Sequence, residues 1–185
     1  MAKFTAPHAV GNEFSKPWNK FFNNVATKIG SSKSYALGGR LTSNTTAVGN
    51  VGSGADTLIT YSLEANILNN VGDILEITAF GSQAANANNK TIKLVFGSTE
   101  LFTTGAVASN GKDWRIDCTI IRTAAATQEC ITSFSGDTVL VTQIADYVTG
   151  TEDFTTSLAI KCTGEATTTD DIIQKGLIIK FFPVG

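Results

Sequence analysis

Between residues 57 and 185 apolar residues recur at every second position in short runs, and clusters of turn-forming residues separate the runs. A period of two sends successive side chains to opposite faces of a strand, so this pattern commits the segment to half-buried strands. Thr91–Phe96 is the clearest case, with Ile92, Leu94 and Phe96 on one side and Thr91, Lys93 and Val95 on the other. Ile74–Phe80 sends Leu75, Ile77 and Ala79 one way and Ile74, Glu76, Thr78 and Phe80 the other. Trp114–Thr123 places Trp114, Ile116, Cys118 and Ile120 on one face, and Thr127–Phe134 follows as its hairpin partner. Leu58–Leu63, Glu100–Thr104, Val139–Ile144, Thr155–Cys162 and Ile172–Phe182 complete the set. Gly97-Ser98 and Asn110-Gly111 are turn signals, Ser135 to Asp137 turns the chain, and Ala84–Asn89 reads as a polar turn cluster. No helical period lies between these runs.

About nine strands at this spacing predict an all-β domain, an antiparallel two-sheet β-sandwich. Jelly roll is the expected topology, because its eight strands suit the length. An immunoglobulin-like sandwich is the alternative, but it is shorter, and Trp114 precedes all three cysteines rather than lying between two of them.

The start of the chain is written differently. Phe14, Trp18, Phe21, Phe22, Val25 and Ile29 follow the helical period, which predicts an amphipathic helix with Ser15 as N-cap, Pro17 in the first turn and Gly30 as the stop. Such a helix is too short to be stable alone in water, so its aromatic face needs a cover. Five lysines, including Lys16 and Lys20, stand against the single acid Glu13 in residues 1–33, which makes a basic arm on an acidic body. Residues 31–56 are dominated by Gly, Ser, Thr and Asn and read as a linker or extended arm. The expected organisation is an arm with helix over 1–30, a linker over 31–56 and a sandwich over 57–185.

Chemistry is sparsely represented. The single histidine, His8, lies in the arm, so triad catalysis and His-rich metal sites are not expected. No P-loop, G-x-S-x-G or H-E-x-x-H pattern occurs. The acid pairs Glu152-Asp153 and Asp170-Asp171 match no calcium loop and read as solvated loop acids. Cys118, Cys130 and Cys162 form no C-x-x-C pair and are expected as buried, reduced thiols. The expectation is no enzyme and no cofactor. A net charge of −2 gives no sign of nucleic-acid binding, and no apolar run reaches the ~20 residues of a membrane span. No secretory signal is expected at the N-terminus. Charged residues make up only 16% of the chain, against about 25% in ordinary soluble domains. Neutral, Thr-rich strand faces of this kind suit permanent subunit contacts, where few charges need desolvating.

Three segments, VGDILEITAFGSQAANANNKTIKLVFGSTELF, DWRIDCTIIRTAAATQ and KCTGEATTTDDIIQKGLIIKFF, together resemble a group of tailed-bacteriophage structural proteins. The matching positions include Gly72, Leu75, Ile77, Ala79, Gly81, Asn86, Asn88, Lys90, Lys93, Leu94, Phe96 and Gly97. They continue with Trp114, Ile116, Arg122, Thr123, Gln128, Gly176, Leu177 and Phe181. The resemblance implies a β-sandwich domain on the virion, commonly trimeric, in a capsid cement or decoration protein, a head fibre or a tail-associated protein. The chain would be made in the cytoplasm of the bacterial host. The cement reading expects a homotrimer on the major capsid protein, anchored through Phe14, Lys16, Trp18, Lys20, Phe21, Phe22, Val25 and Ile29. The alternative is a receptor- or glycan-binding head of a fibre or tail, using the loops Ala84–Asn89 or Thr167–Asp171. A polysaccharide hydrolase would need two converging carboxylates, and no acid pair is marked for that role.

Overall fold

A computed structural model describes residues 38–136 and 144–184. The expected helix over 14–29, with all its anchor residues, lies outside them, as does most of the expected strand 139–144. The compact unit that the described residues build begins at Gly38.

Among the described residues twelve strands run in chain order: β1 (Gly39–Asn44), β2 (Val48–Gly49), β3 (Gly54–Leu63), β4 (Ile74–Gln83), β5 (Ala85–Phe96), β6 (Thr99–Thr103), β7 (Val107–Asn110), β8 (Asp113–Ala124), β9 (Thr127–Ser135), β10 (Ile144–Gly150), β11 (Leu158–Ala166) and β12 (Ile172–Phe182). They form two antiparallel sheets. The larger has the order β1-β12-β4-β8-β9-β10, with β2 also on β12. The smaller has the order β3-β11-β5-β6, with β7 also on β5. The fold is all-β and its two sheets make a sandwich.

The alternation decides which face goes inside. Leu75, Ile77 and Ala79 of β4, with Trp114, Ile116, Cys118 and Ile120 of β8, are all buried. Ile92, Leu94 and Phe96 of β5 meet them from the other sheet, together with Ile160 and Cys162 of β11. Phe102 of β6 stacks on Phe134 of β9, ring centroids 5.2 Å apart, and so joins the two layers. Each fully buried side chain of this size stabilises the fold by about 1.5–3 kcal/mol. Gly97 forms the expected tight turn between β5 and β6 at φ +58°, a conformation that side chains disfavour.

Three expectations need correction. Residues 39–56 are not a linker: they hold β1, β2 and the start of β3. The chain orders there against its own last strand, β1 pairing with β12 from Gly39↔Phe181 to Asn44↔Leu177. Backbone hydrogen bonds carry that pairing, so its thin apolar content hid it. The cluster Ala84–Asn89 is not a free turn either, because all of it after Ala84 belongs to β5. The eleventh strand starts at Leu158, three residues later than expected, and runs on to Ala166.

All three cysteines are free and buried. Burial pushes the thiol of Cys118 up to about 11 and those of Cys130 and Cys162 up to about 12. The thiolate is the reactive form. Native protein at about pH 8 should therefore react negligibly with a thiol-specific disulfide reagent, whereas the same protein in guanidinium should titrate all three cysteines. Rapid labelling of any of the three without denaturant would contradict this core.

Candidate functional site

One end of the sandwich is closed around a buried lysine. Lys90, in β5, has 0% exposure. Its ammonium donates to the Ser109 carbonyl at 2.9 Å, the Asn88 carbonyl at 3.1 Å, the Asn86 carbonyl at 3.3 Å and Asn86 Oδ1 at 2.8 Å. The register of β5 against β7 breaks between Ala85 and Asn89, in the stretch whose carbonyls turn to the lysine. Asn86 then passes the charge on. Its Nδ2 donates to Asp171 Oδ1 at 2.6 Å, while Asn88 Nδ2 and the Thr168 backbone N–H donate to Asp171 Oδ2 at 2.9 and 3.0 Å. The amide of Asn86 thus bridges an ammonium and a carboxylate.

Asn50, fully buried, pins the neighbouring loops. Its Nδ2 donates to the carbonyls of Thr168 (2.8 Å) and Gly52 (3.0 Å), and its Oδ1 accepts from the Ile172 N–H at 2.9 Å. The Ala84 N–H donates to the Asp171 carbonyl, and Ser109 Oγ donates to Gln83 Oε1. Four stretches of chain, 50–52, 83–90, 109 and 168–172, converge on this cluster.

Its electrostatics favour structure over chemistry. Burial pushes the Lys90 pKa below that of an ordinary lysine, and the Asp171 charge opposes the fall. Burial alone would raise the Asp171 carboxyl, but hydrogen bonds from Asn86, Asn88 and Thr168 outweigh it and hold the group well below the usual carboxylate range. With every ammonium proton directed at an oxygen, Lys90 has no lone pair to offer a substrate.

The opposite end is tied by Ser98, Thr99, Arg122 and Gln128 of the first two resembling segments, with Glu152 and Phe154 from outside them. Arg122 donates to the carbonyls of Ala124 at 2.9 Å, Ala125 at 2.8 Å and Leu68 at 2.5 Å, and stacks over the Phe154 ring at 4.8 Å. Glu152 Oε1 accepts from the Ser98 N–H, Ser98 Oγ and Thr99 Oγ1 at 2.7–2.8 Å. Burial would raise the Glu152 carboxyl, yet these bonds leave it lowered. Gln128 Oε1 accepts the Glu152 N–H at 3.3 Å. The expectation of solvated loop acids is therefore corrected for Glu152 and Asp171, which are 8% and 1% exposed. Both accept hydrogen bonds from turn N–H groups, Glu152 from Ser98 and Asp171 from Thr168.

The remaining notable surface is the outer face of the larger sheet. Two adjacent cross-strand rows run Phe182, Ile74, Ile121, Glu129, Thr149 and Lys180, Glu76, Thr119, Ile131, Tyr147. A groove of about 340 Å³ crosses it between Lys180 and Ile131. Arg115 meets Asp117 at 2.6 Å, Lys180 meets Glu76 at 3.3 Å, and Glu129 accepts from Tyr147 Oη and Thr149 Oγ1. Among the described residues no group of His, Cys, Asp and Glu is placed to hold a metal, and no helix is long and apolar enough to cross a membrane.

The residues expected to bind a partner, Phe14, Lys16, Trp18, Lys20, Phe21, Phe22, Val25 and Ile29, lie outside the described residues. Trp114 is core, as expected. The clamp residues were missed as a set. The only trace in the sequence was that Asn86, Asn88, Lys90, Arg122 and Gln128 are polar positions of the phage resemblance, a pattern that loops alone do not require.

No family model matches the chain, and no curated protein matches it. Among solved structures it is similar to peanut lectin with a nine-residue peptide, at 6% identity and TM-score 0.39 over 80% of this chain and 91% of the lectin chain. It is also similar to the CBM2 module of the evolved Dit of Lactobacillus casei BL23 phage J-1, at 9% identity and TM-score 0.38 over 80% of this chain and 98% of that one. The fold assignment rests on the strand order itself.

Asp171→Asn should be strongly destabilising, by about 3 kcal/mol near neutral pH, because one new N–H would face an N–H donor that the carboxylate now accepts. The pH dependence follows from the lowered Asp171 pKa. The unfolded chain binds this proton more readily than the folded one, so the contribution is complete above the unfolded value near pH 4 and is lost as pH falls below it. Urea unfolding of both proteins should show the gap shrinking from about pH 5 downwards. A gap that is constant down to acid pH would rule out the ionised carboxylate as its source.

Proposed function

We propose that this chain is a non-enzymatic structural protein of a tailed-phage virion, a trimeric cement or decoration protein attached to the major capsid protein through its N-terminal arm. One observation carries the reading. Polar residues at the positions of the phage resemblance are engaged in holding the ends of the sandwich together, and the surface left over is a broad, charge-compensated sheet face. That arrangement suits a protein whose task is to be rigid and to adhere.

The strand order supports a jelly roll. With β1, β3, β4, β5, β6, β8, β11 and β12 as its eight strands, the two rows are β1-β12-β4-β8 and β3-β11-β5-β6. The β9–β10 hairpin then widens one row. The glycan-binding alternative relied on the loops Ala84–Asn89 and Thr167–Asp171, whose Asn86, Asn88 and Asp171 are engaged with one another. This favours the cement reading.

On this reading the arm and the sandwich are separable in effect. Trp18→Ala with Phe22→Ala in the full chain should abolish co-sedimentation with undecorated shells of the parent phage while leaving the urea midpoint of the sandwich unchanged. Shells that are fully decorated by the double variant would show that the arm is not the anchor.

A further inference from the structure

We infer that the outer face of the larger sheet is the surface through which copies of this chain associate; this deepens the trimer reading and rests on it. Seven large apolar side chains are exposed among the described residues, and four of them, Ile121, Ile131, Tyr147 and Phe182, stand on this one face. Cross-strand pairing with Ile74 joins them into a band from β12 to β10. A contiguous exposed apolar band of this kind marks an interaction site.

Its size fits a protein partner. Six strands at about 4.8 Å spacing, most of them about ten residues long at about 3.3 Å per residue, offer roughly 900 Å². A standard-size interface takes about 800 Å² from each partner.

Its charges fit a second copy. Arg115 with Asp117 and Lys180 with Glu76 are compensated in place, so covering the middle of the face leaves those charges paired. What is left is lateral: Arg40 stands opposite Lys180 in the strand register at the β1 flank, whereas Glu129 lies in β9 beside the β10 flank. Where copies surround an axis with this face inward, the β1 flank of one meets the β10 flank of the next, and opposite charges meet. Tyr147, 67% exposed at that flank, is a rigid aromatic of the type that anchors interfaces.

Light scattering on the full chain tests this with Ile131→Lys plus Tyr147→Lys, and with Val51→Lys as a control at an exposed position off the face. Wild type and control should be oligomers, and the double variant should fall to the mass of a single chain with an unchanged circular dichroism spectrum. Hydroxyl-radical footprinting of the wild type needs no variant and should show Tyr147 and Phe182 several-fold less oxidised in the oligomer than in dilute monomer. A double variant that is folded and still has wild-type mass, or equal oxidation in both states, overturns the surface and leaves the trimer reading standing. A monomeric wild type overturns both, and would leave residues 1–37 or another protein as the cover of this face.

Discussion

An ammonium group with no access to water is the constraint around which one end of this molecule is organised. Leaving an isolated charge in such a place costs many kcal/mol unless it is surrounded by oxygens and balanced. Lys90 meets that demand with three main-chain carbonyls and one side-chain amide, and Asn86 transmits the charge to Asp171. Because the carbonyls come from β5 and β7 and the carboxylate from the loop before β12, satisfying one group fixes the mutual position of several segments. Asn50 adds the connection between β2 and β3 to the same arrangement. The break in β5 pairing is thus the geometry by which the strand turns its carbonyls to the lysine.

The two ends work alike with different residues. Arg122 at the far end does with carbonyls of the 68 and 124–125 turns what Lys90 does at the near end. Glu152 and Asp171 are the matching acceptors for turn N–H groups. Between the two ends the layers hold together by apolar contact, including the Phe102–Phe134 stack, and by one buried hydrogen bond from the Ile59 N–H of β3 to Gln174 Oε1 of β12 at 2.8 Å. A sandwich pinned at both ends and dry in the middle presents its outer strands as a rigid plane, and a rigid plane loses little entropy when it is covered.

Much of the architecture could be read from alternation. Ile92, Leu94 and Phe96, and Trp114 to Ile120, lie inside as their period requires, because burial is the same force that writes the period. The polar clamps could not be read that way. Asn86, Asn88 and Asp171 are turn formers by type, and no local pattern says that a lysine four positions from one of them is waterless. The strand over 39–44 escaped for a different reason: an edge strand held by backbone bonds leaves almost no side-chain signature. Glu152 and Asp171 looked like surface acids because the partners that bury them come from distant parts of the chain.

The strand order also dictates when this domain can exist. The final two strands, β11 and β12, lie inside the sheets, β11 between β3 and β5 and β12 between β1 and β4. During synthesis on the ribosome, neither sheet can close until residues 158–182 have left the exit tunnel. Before that moment β1 has no partner strand, and β3 and β5 expose the edges that β11 will fill. Unpaired edges of this kind are templates for pairing with another chain, and contacts between the ends of a chain form slowly. Nascent chains of this protein are therefore most exposed to misassembly until β11 and β12 have emerged, and a ribosome stalled near residue 157 would hold a chain with both sheets still split.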